Sequence, residues 1–526
     1  MKKISILDCT LRDGGYCNQW RFGFDNSKKI IKNLTEANID IIECGFITNR
    51  QQYDINITKF TNIEQIDNLI PDTNFNCKYV AMINHGEYDP SSLPNRSIHK
   101  LDGIRYAFHK KDVLNAIEQC YIIKEKGFDT YVQAMVSMNY SDEEFLQLIH
   151  KVNELEPEAF YIVDSFGMMK RKDLVRLFSM IEHNLKKNIK IGFHSHNNMQ
   201  LSFSNAQTLV DMQSNRDLVI DSSIYGMGRG AGNLNTELFI EYLNENMGAT
   251  YDLRPILSTM DEVIGNFYQI NPWGYTLPNY LSAMHNTHPN YAGFLNDKNT
   301  LPIEKMNEIF EMMGDDKRSE FDKKYISELY NKYMETGKTQ NIHSDEFKNI
   351  IRDKKIILIG PAKSSIDEKE KIIKFIKEND TISIAINHEY PPCETDFIFL
   401  SNNRRFKEMN KALKQKCIIT SNIPADEVYL QIKYSDLLND IEAVRDNAGL
   451  MAIKLLISFG ASKIYLAGFD GYSHDVLENY AKEQMMYITK KATIDAINEG
   501  MGKTLSKLSK EIEIKFITEP KHYSVE

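Results

Sequence analysis

Ile4-Ser5-Ile6-Leu7-Asp8-Cys9-Thr10-Leu11-Arg12-Asp13-Gly14-Gly15 opens the chain, and Gly192-Phe193-His194-Ser195-His196-Asn197-Asn198 follows the same plan far downstream. Each is a short apolar run that ends in a polar segment, one charged and glycine-containing, the other carrying two histidines. Six more runs of that kind, Ile39–Cys44, Lys78–Ile83, Gly103–Ala107, Thr130–Val136, Ala159–Val163 and Leu218–Ser222, bring the strand count to eight with Ile4–Cys9 and Ile189–Phe193. Amphipathic stretches such as Ser27–Ala37, Lys111–Glu125, Asp142–Leu155 and Lys172–Leu185 separate them. Parallel strands need crossovers of that length. The alternation predicts an α/β fold in which residues 1–250 form a (β/α)8 TIM barrel, and both quoted stretches end at the rim that carries the active site of such barrels.

From 251 to 340 helical patterns replace the alternation, broken by the aromatic and proline-containing stretch Asn271–Tyr291. We read this as a helical appendage that completes the active site. Gly337–Glu346 is polar and aperiodic, which places a domain boundary near 340 to 352. Residues 352–526 alternate again, through Lys355–Gly360, Asp367–Glu378, Ile382–Ile386, Phe397–Leu400, Cys417–Thr420, Ala443–Phe459 and Lys463–Ala467. They predict a smaller doubly wound, Rossmann-like domain. Its Gly360–Ser365 loop is of the kind that binds anions through backbone N–H groups, and Asp470 lies at the strand edge where such sheets place ligands. A packing or oligomerisation module is the alternative, and we expect a homo-oligomer.

A net charge of -10 argues against nucleic acid as a partner. No apolar run approaches the ~20 residues of a membrane span, and Met1–Thr10 holds too short an apolar core for an export signal. Seven scattered cysteines without a C-x-x-C pair point to reduced thiols. Together these predict a cytoplasmic protein with no membrane partner.

Residues i and i+2 of a strand face the same side, so His194 and His196 both aim into the barrel mouth. Asp13 on the first strand's loop would complete a 2-His-1-carboxylate metal site. Glu43, after the second strand, is placed to hold Arg12 against it. The alternative for an H-x-H pair at a strand end is surface or capped histidines.

Thr10-Leu11-Arg12-Asp13-Gly14, Glu43, His194-Ser195-His196-Asn197-Asn198 and Gly226-Met227-Gly228-Arg229-Gly230-Ala231-Gly232-Asn233 resemble the DRE-TIM metallolyase superfamily, which is HMG-CoA lyase-like. Asp221-Ser222-Ser223 and the stretch from His196 to Asn205 are most similar to the bacterial 4-hydroxy-2-oxovalerate (pyruvate) aldolase branch. The resemblance covers residues 1 to 250. It implies a class II aldolase, a carbon-carbon lyase that joins or splits a 2-oxo acid and an aldehyde through a metal-bound pyruvate-type enolate. Asp13, His194 and His196 would hold Mn2+ or Mg2+, with Asn233 as an extra ligand, and Arg12 would stabilise the enolate.

This chain departs from the branch at one point: Tyr16 stands where the branch carries its histidine base. A free tyrosine titrates near ~10. The base is then Tyr16, a metal-bound water, His85, Tyr275, His285 or His288. Ser165 is read as a substrate-hydroxyl contact or a helix cap. Gly228, in the glycine run, is read as a point of close backbone approach to substrate or as loop packing. Two other functions stay open. One is a Claisen-type acyl-CoA condensing transferase, against which Asn198 stands where that branch has aspartate. The other is a catalytically silent metal-binding scaffold for a nucleotide- or glycan-binding C-terminal domain.

Overall fold

The computed structural model describes residues 2–72, 77–298, 301–335, 343–425, 427–475, 478–481 and 491–525. Residues 337–342 of the expected linker lie outside them. By Cα proximity the chain divides into two compact units, Met1–Ala292 with Asp316–Phe321, and Gly293–Asp315 with Asp322–Glu526.

The first unit holds a closed ring of eight parallel strands: β1 (Ile4–Asp8), β2 (Ile41–Ile47), β3 (Lys78–Asn84), β4 (Gly103–Phe108), β5 (Asp129–Ala134), β6 (Ala159–Asp164), β7 (Lys190–Ser195) and β8 (Leu218–Ser222). Each pairs with its successor, and β8 closes on β1. This is the predicted TIM barrel. A two-residue strand, Lys59–Phe60, adds to the end of β2. Every residue of β2 is buried, as a strand covered on both faces requires.

The two faces are packed by alternate residues. Leu7, Ile41, Val80, Tyr131, Tyr161 and Val219 fill the ring, whereas Ile6, Ile42, Ile104, Val132, Ile191 and Ile220 pack outward with the helices. That parity decides where the polar residues go. Glu43 lies two residues beyond Ile41, Gln133 beyond Tyr131, His194 beyond Gly192, and Asp221 beyond Val219. With Arg105 of β4 they all enter the ring near its C-terminal mouth. Gly192 makes room for this packing, because a Cβ there would lie 2.3 Å from the Tyr161 ring.

Two strands differ from the sequence expectation in a way that bears on the site. β2 starts later and runs to Ile47 through a register shift between Glu43 and Phe46, where Gly45 takes φ +146°. β7 extends to Ser195, which fixes His194 inside the strand, and His196 bridges to Asn233 just beyond it. The helices Phe24–Glu36, Val113–Glu125, Asp142–Leu155 and Arg171–Asn184 are the crossovers. Asp142–Leu155 is set by a capping box, in which Ser141 and Glu144 exchange side-chain to backbone hydrogen bonds.

The second unit contains a separate parallel α/β sheet of seven strands: β9 (Lys355–Ile359), β10 (Thr381–Ile386), β11 (Phe397–Leu400), β12 (Cys417–Thr420), β13 (Leu430–Ile432), β14 (Lys463–Ala467) and β15 (Glu513–Phe516). Their order is β13-β12-β11-β10-β9-β14-β15, so the winding reverses between β9 and β14, as in a doubly wound sheet. A cavity of about 200 Å³ opens beside the loops that follow these two strands. Asp470 has internal work there: its carboxylate accepts from the Ser364 N–H (3.1 Å) and hydroxyl and pairs with Lys521 at 3.3 Å. All seven cysteines are free thiols. Among the described residues no helix is long and apolar enough to cross a membrane.

Candidate metal centre and active site

The loop after β1 and the end of β7 bring Asp13, His194 and His196 together, all buried, with one ligand atom from each within 4.8 Å of the others. The His194 Nδ1 lies 2.9 Å from Asp221 Oδ2. A carboxylate at that nitrogen fixes the tautomer with the proton on Nδ1 and leaves Nε2 as the ligating atom. Burial pushes His196 down to about 3, so its ring is neutral and able to ligate. Burial alone would raise the Asp13 carboxyl, but Arg12, at 2.6 Å, together with His196, His194 and Arg229 outweighs it and holds the group below the usual carboxylate range.

Buried polar atoms without a partner point at the same place. Among the described residues the Asn233 Oδ1 and the His196 Nδ1 are buried with no hydrogen bond, while the Asn233 amide donates to Asp13 Oδ2 at 2.8 Å. Gly228 keeps this space open: a Cβ on it would lie 2.4 Å from the Asn233 amide nitrogen and 2.8 Å from Asp13 Oδ2. Imidazole nitrogens with carboxylate and amide oxygens suit a divalent cation.

Behind the triad runs a chain of buried charges. Arg12 Nε donates to Glu43 (2.8 Å), Arg105 Nη1 to the same Glu43 oxygen (2.7 Å), and Arg105 Nη2 to the Asp221 carboxylate that holds His194. Arg105 is fully buried and its guanidinium lies 5.0 Å from the Tyr161 ring centroid. Burial raises the Asp221 carboxyl, but Arg105, the His194 contact and Arg12 together outweigh it and the net shift is downward. If this network orients the metal ligands, Asp221→Asn weakens metal affinity about 10–100-fold with the fold intact. Equilibrium dialysis against Mn2+ measures it, and an unchanged affinity would remove Asp221 from the metal's support.

A cavity of about 410 Å³ opens in front of the triad. Arg12, Asp13, Tyr16, His85, Ser165, His194 and His196 line it, together with Gln133, Arg229 and His288. Arg12 Nη2 and Gln133 Nε2 are buried donors without partners among the described residues. Ser165 Oγ accepts from the Val136 N–H (2.9 Å), and its carbonyl accepts from Arg229. Tyr275 stands apart at 52% exposed and, like His285, is not among the lining residues. The stretch that carries Tyr275 is anchored by Trp273, whose indole N–H donates to the Tyr225 carbonyl at 2.9 Å.

Sequence reasoning did not single out Arg105, Gln133 or Arg229. A readable signal existed for two of them, since Arg105 and Gln133 are polar residues within apolar strands at the inward parity. Arg229 sits in a loop whose path no periodicity predicts.

The HMGL-like family model matches residues 102–263, which run from β4 through β8. The chain is 26% identical over 267 residues to a 4-hydroxy-2-oxovalerate aldolase from Pseudoalteromonas translucida (strain TAC 125), over 50% of this chain and 76% of that protein. A 4-hydroxy-2-oxovalerate aldolase from Geobacillus genomosp. 3 is 27% identical over 266 residues, 50% of this chain and 77% of that one. Among solved structures, the HMG-CoA lyase from Brucella melitensis is 15% identical with a TM-score of 0.40, over 51% of this chain and 98% of that chain. The matched region includes Arg105, Gln133, Ser165, His194, His196, Asp221 and the glycine run.

Proposed function

We propose that the protein is a divalent-metal-dependent class II aldolase that cleaves or forms the bond between a 2-oxo acid and an aldehyde. The observation that carries this reading is the meeting, in one cavity, of a buried Asp13–His194–His196 set and a guanidinium with an unpartnered buried N–H. The names of the relatives support the lyase class. Mn2+ or Mg2+ held by the three residues, with Asn233 beside them, supplies Lewis acidity at the carbonyl of the 2-oxo acid.

The chain's own groups do the rest. Arg12 is held rigid by Glu43 and Asp13, so its Nη2 is preorganised to donate to the oxygen on which enolate charge develops. Gln133 Nε2 offers a second donor to the substrate. Tyr16, 41% exposed, does not suit the role of base, because a phenol titrates near ~10 and partial desolvation against the cavity wall moves it further up. It serves as a hydrogen-bond donor instead. His288 is equally unsuited: burial first, then Arg229, hold it down to about 2, too weak a base to take a proton at neutral pH. We assign the substrate's hydroxyl proton to His85, which lines the cavity with its Nδ1 fixed 3.0 Å from the Tyr106 hydroxyl, with a metal-bound water as the alternative base.

The test is retro-aldol cleavage. With Mn2+ present, a panel of 4-hydroxy-2-oxo acids should release pyruvate, read by a coupled dehydrogenase, and His85→Ala should lose most of that rate. A panel that gives none, while an acyl-CoA donor is consumed, would replace this reading with a Claisen condensation.

A further inference from the structure

Four cationic side chains line the barrel cavity, and three have carboxylate partners: Arg12 with Asp13 and Glu43, Arg50 with Glu87, and Lys111 with Glu320. Arg229 is the exception. Its Nη2 donates to the Ser165 carbonyl (3.0 Å), its Nη1 lies 3.3 Å from His288 Nε2, and its guanidinium stands 5.4 Å from the Tyr16 ring centroid. Among the described residues it forms no side-chain ion pair with a carboxylate, and its Nε is buried with no partner.

The His288 contact is a weak anchor. The Asn290 N–H lies 3.2 Å from His288 Nδ1, and a neutral ring has one accepting nitrogen, so it cannot accept from both Asn290 and Arg229. A guanidinium with a spare donor and no carboxylate in direct side-chain contact, in a concave site, is a receptor for a carboxylate or phosphate.

Position decides which part of the substrate it meets. The 2-oxo acid is assigned to the triad, Arg12 and Gln133, whereas Arg229 is held against Ser165, Tyr16 and His288, beside that donor site. We propose that Arg229 selects an acceptor aldehyde bearing an anionic group, a carboxylate or a phosphate. The proposal rests on the aldolase reading. In the step concerned, the enolate's C3 supplies the electron pair for the new bond to the aldehyde carbon. The aldehyde's π electrons move to its oxygen, which takes up a proton, and the product is a 4-hydroxy-2-oxo acid with a second acidic group.

The experiment compares glyoxylate and glycolaldehyde phosphate with acetaldehyde and propanal as acceptors for pyruvate, in the wild type, Arg229→Gln and Arg229→Lys. The wild type should favour at least one charged acceptor about 10–100-fold in kcat/KM. That ratio, taken within each variant, should collapse in Arg229→Gln, mainly through KM, and largely survive in Arg229→Lys. Which charged aldehyde is preferred separates carboxylate from phosphate. An unchanged ratio in Arg229→Gln overturns the proposal, as does a raised KM for pyruvate with the aldehyde preference intact, which would assign the guanidinium to the donor. No pyruvate enolisation in the wild type would overturn the aldolase reading and this proposal with it.

Discussion

Arg12→Ala slows turnover about 10²–10³-fold while the protein still binds its metal ion. The guanidinium is buried, clamped by Glu43 at 2.8 Å and Asp13 at 2.6 Å, and its remaining Nη2 has no partner among the described residues. A donor held in that way costs no reorganisation when charge develops on the substrate oxygen, which is why its loss falls on kcat rather than on KM. Glu43 keeps Arg105 as a counterion in the variant, so the network loses one member and does not collapse. Arg12→Lys should rescue little, because a point charge cannot hold Glu43 and face the substrate in the same plane. Steady-state kinetics beside metal analysis reads both halves. Full turnover in Arg12→Ala with metal bound would end the enolate role.

Arg105→Ala produces the largest loss of stability, about 3–5 kcal/mol. Its guanidinium is completely buried between Glu43 and Asp221, and removing it leaves Glu43 with Arg12 alone and Asp221 with no guanidinium partner in the barrel interior. Asp221 orients His194, so metal affinity should fall along with stability. Arg105→Met leaves Asp221 equally without its counterion and should be no better, whereas a variant that also replaces Glu43 and Asp221 with apolar residues of similar volume should recover stability without recovering the metal site. Chemical denaturation of the full chain, followed by equilibrium dialysis of the metal, measures the two effects. An Arg105→Ala protein as stable as the wild type would mean that the buried charges do not depend on one another.

The eight barrel strands were legible because a strand covered on both faces is apolar along its length, and β8 falls at the residues expected, Leu218–Ser222. β13 and β15 were not legible. One is three residues long, and the other, Glu513–Phe516, is a partly exposed edge strand whose polar–apolar alternation spans only four residues. In the site, Asp13, His194 and His196 could be read because each sits next to a strand end whose parity is set locally. Arg105 gains its meaning only from Glu43 and Asp221, which are far away in sequence and meet it through the closure of the ring. Tyr275 was expected at the site on the strength of a resemblance, but the anchoring of Trp273 on Tyr225 is a property of this chain's own loop packing. The choice of base shows the same division: Tyr16 was visible as a departure, while the effects that disfavour the two candidates arise across the cavity, desolvation for Tyr16, and burial together with Arg229 for His288.

The most direct test of the central claim is solvent-deuterium exchange into the methyl group of pyruvate, followed by NMR, with Mn2+ or Mg2+ and with a chelated control, because this half-reaction needs no knowledge of the aldehyde. The account predicts exchange that depends on the metal and disappears in His194→Ala. Exchange that persists after chelation, or its absence with the metal bound, would contradict it.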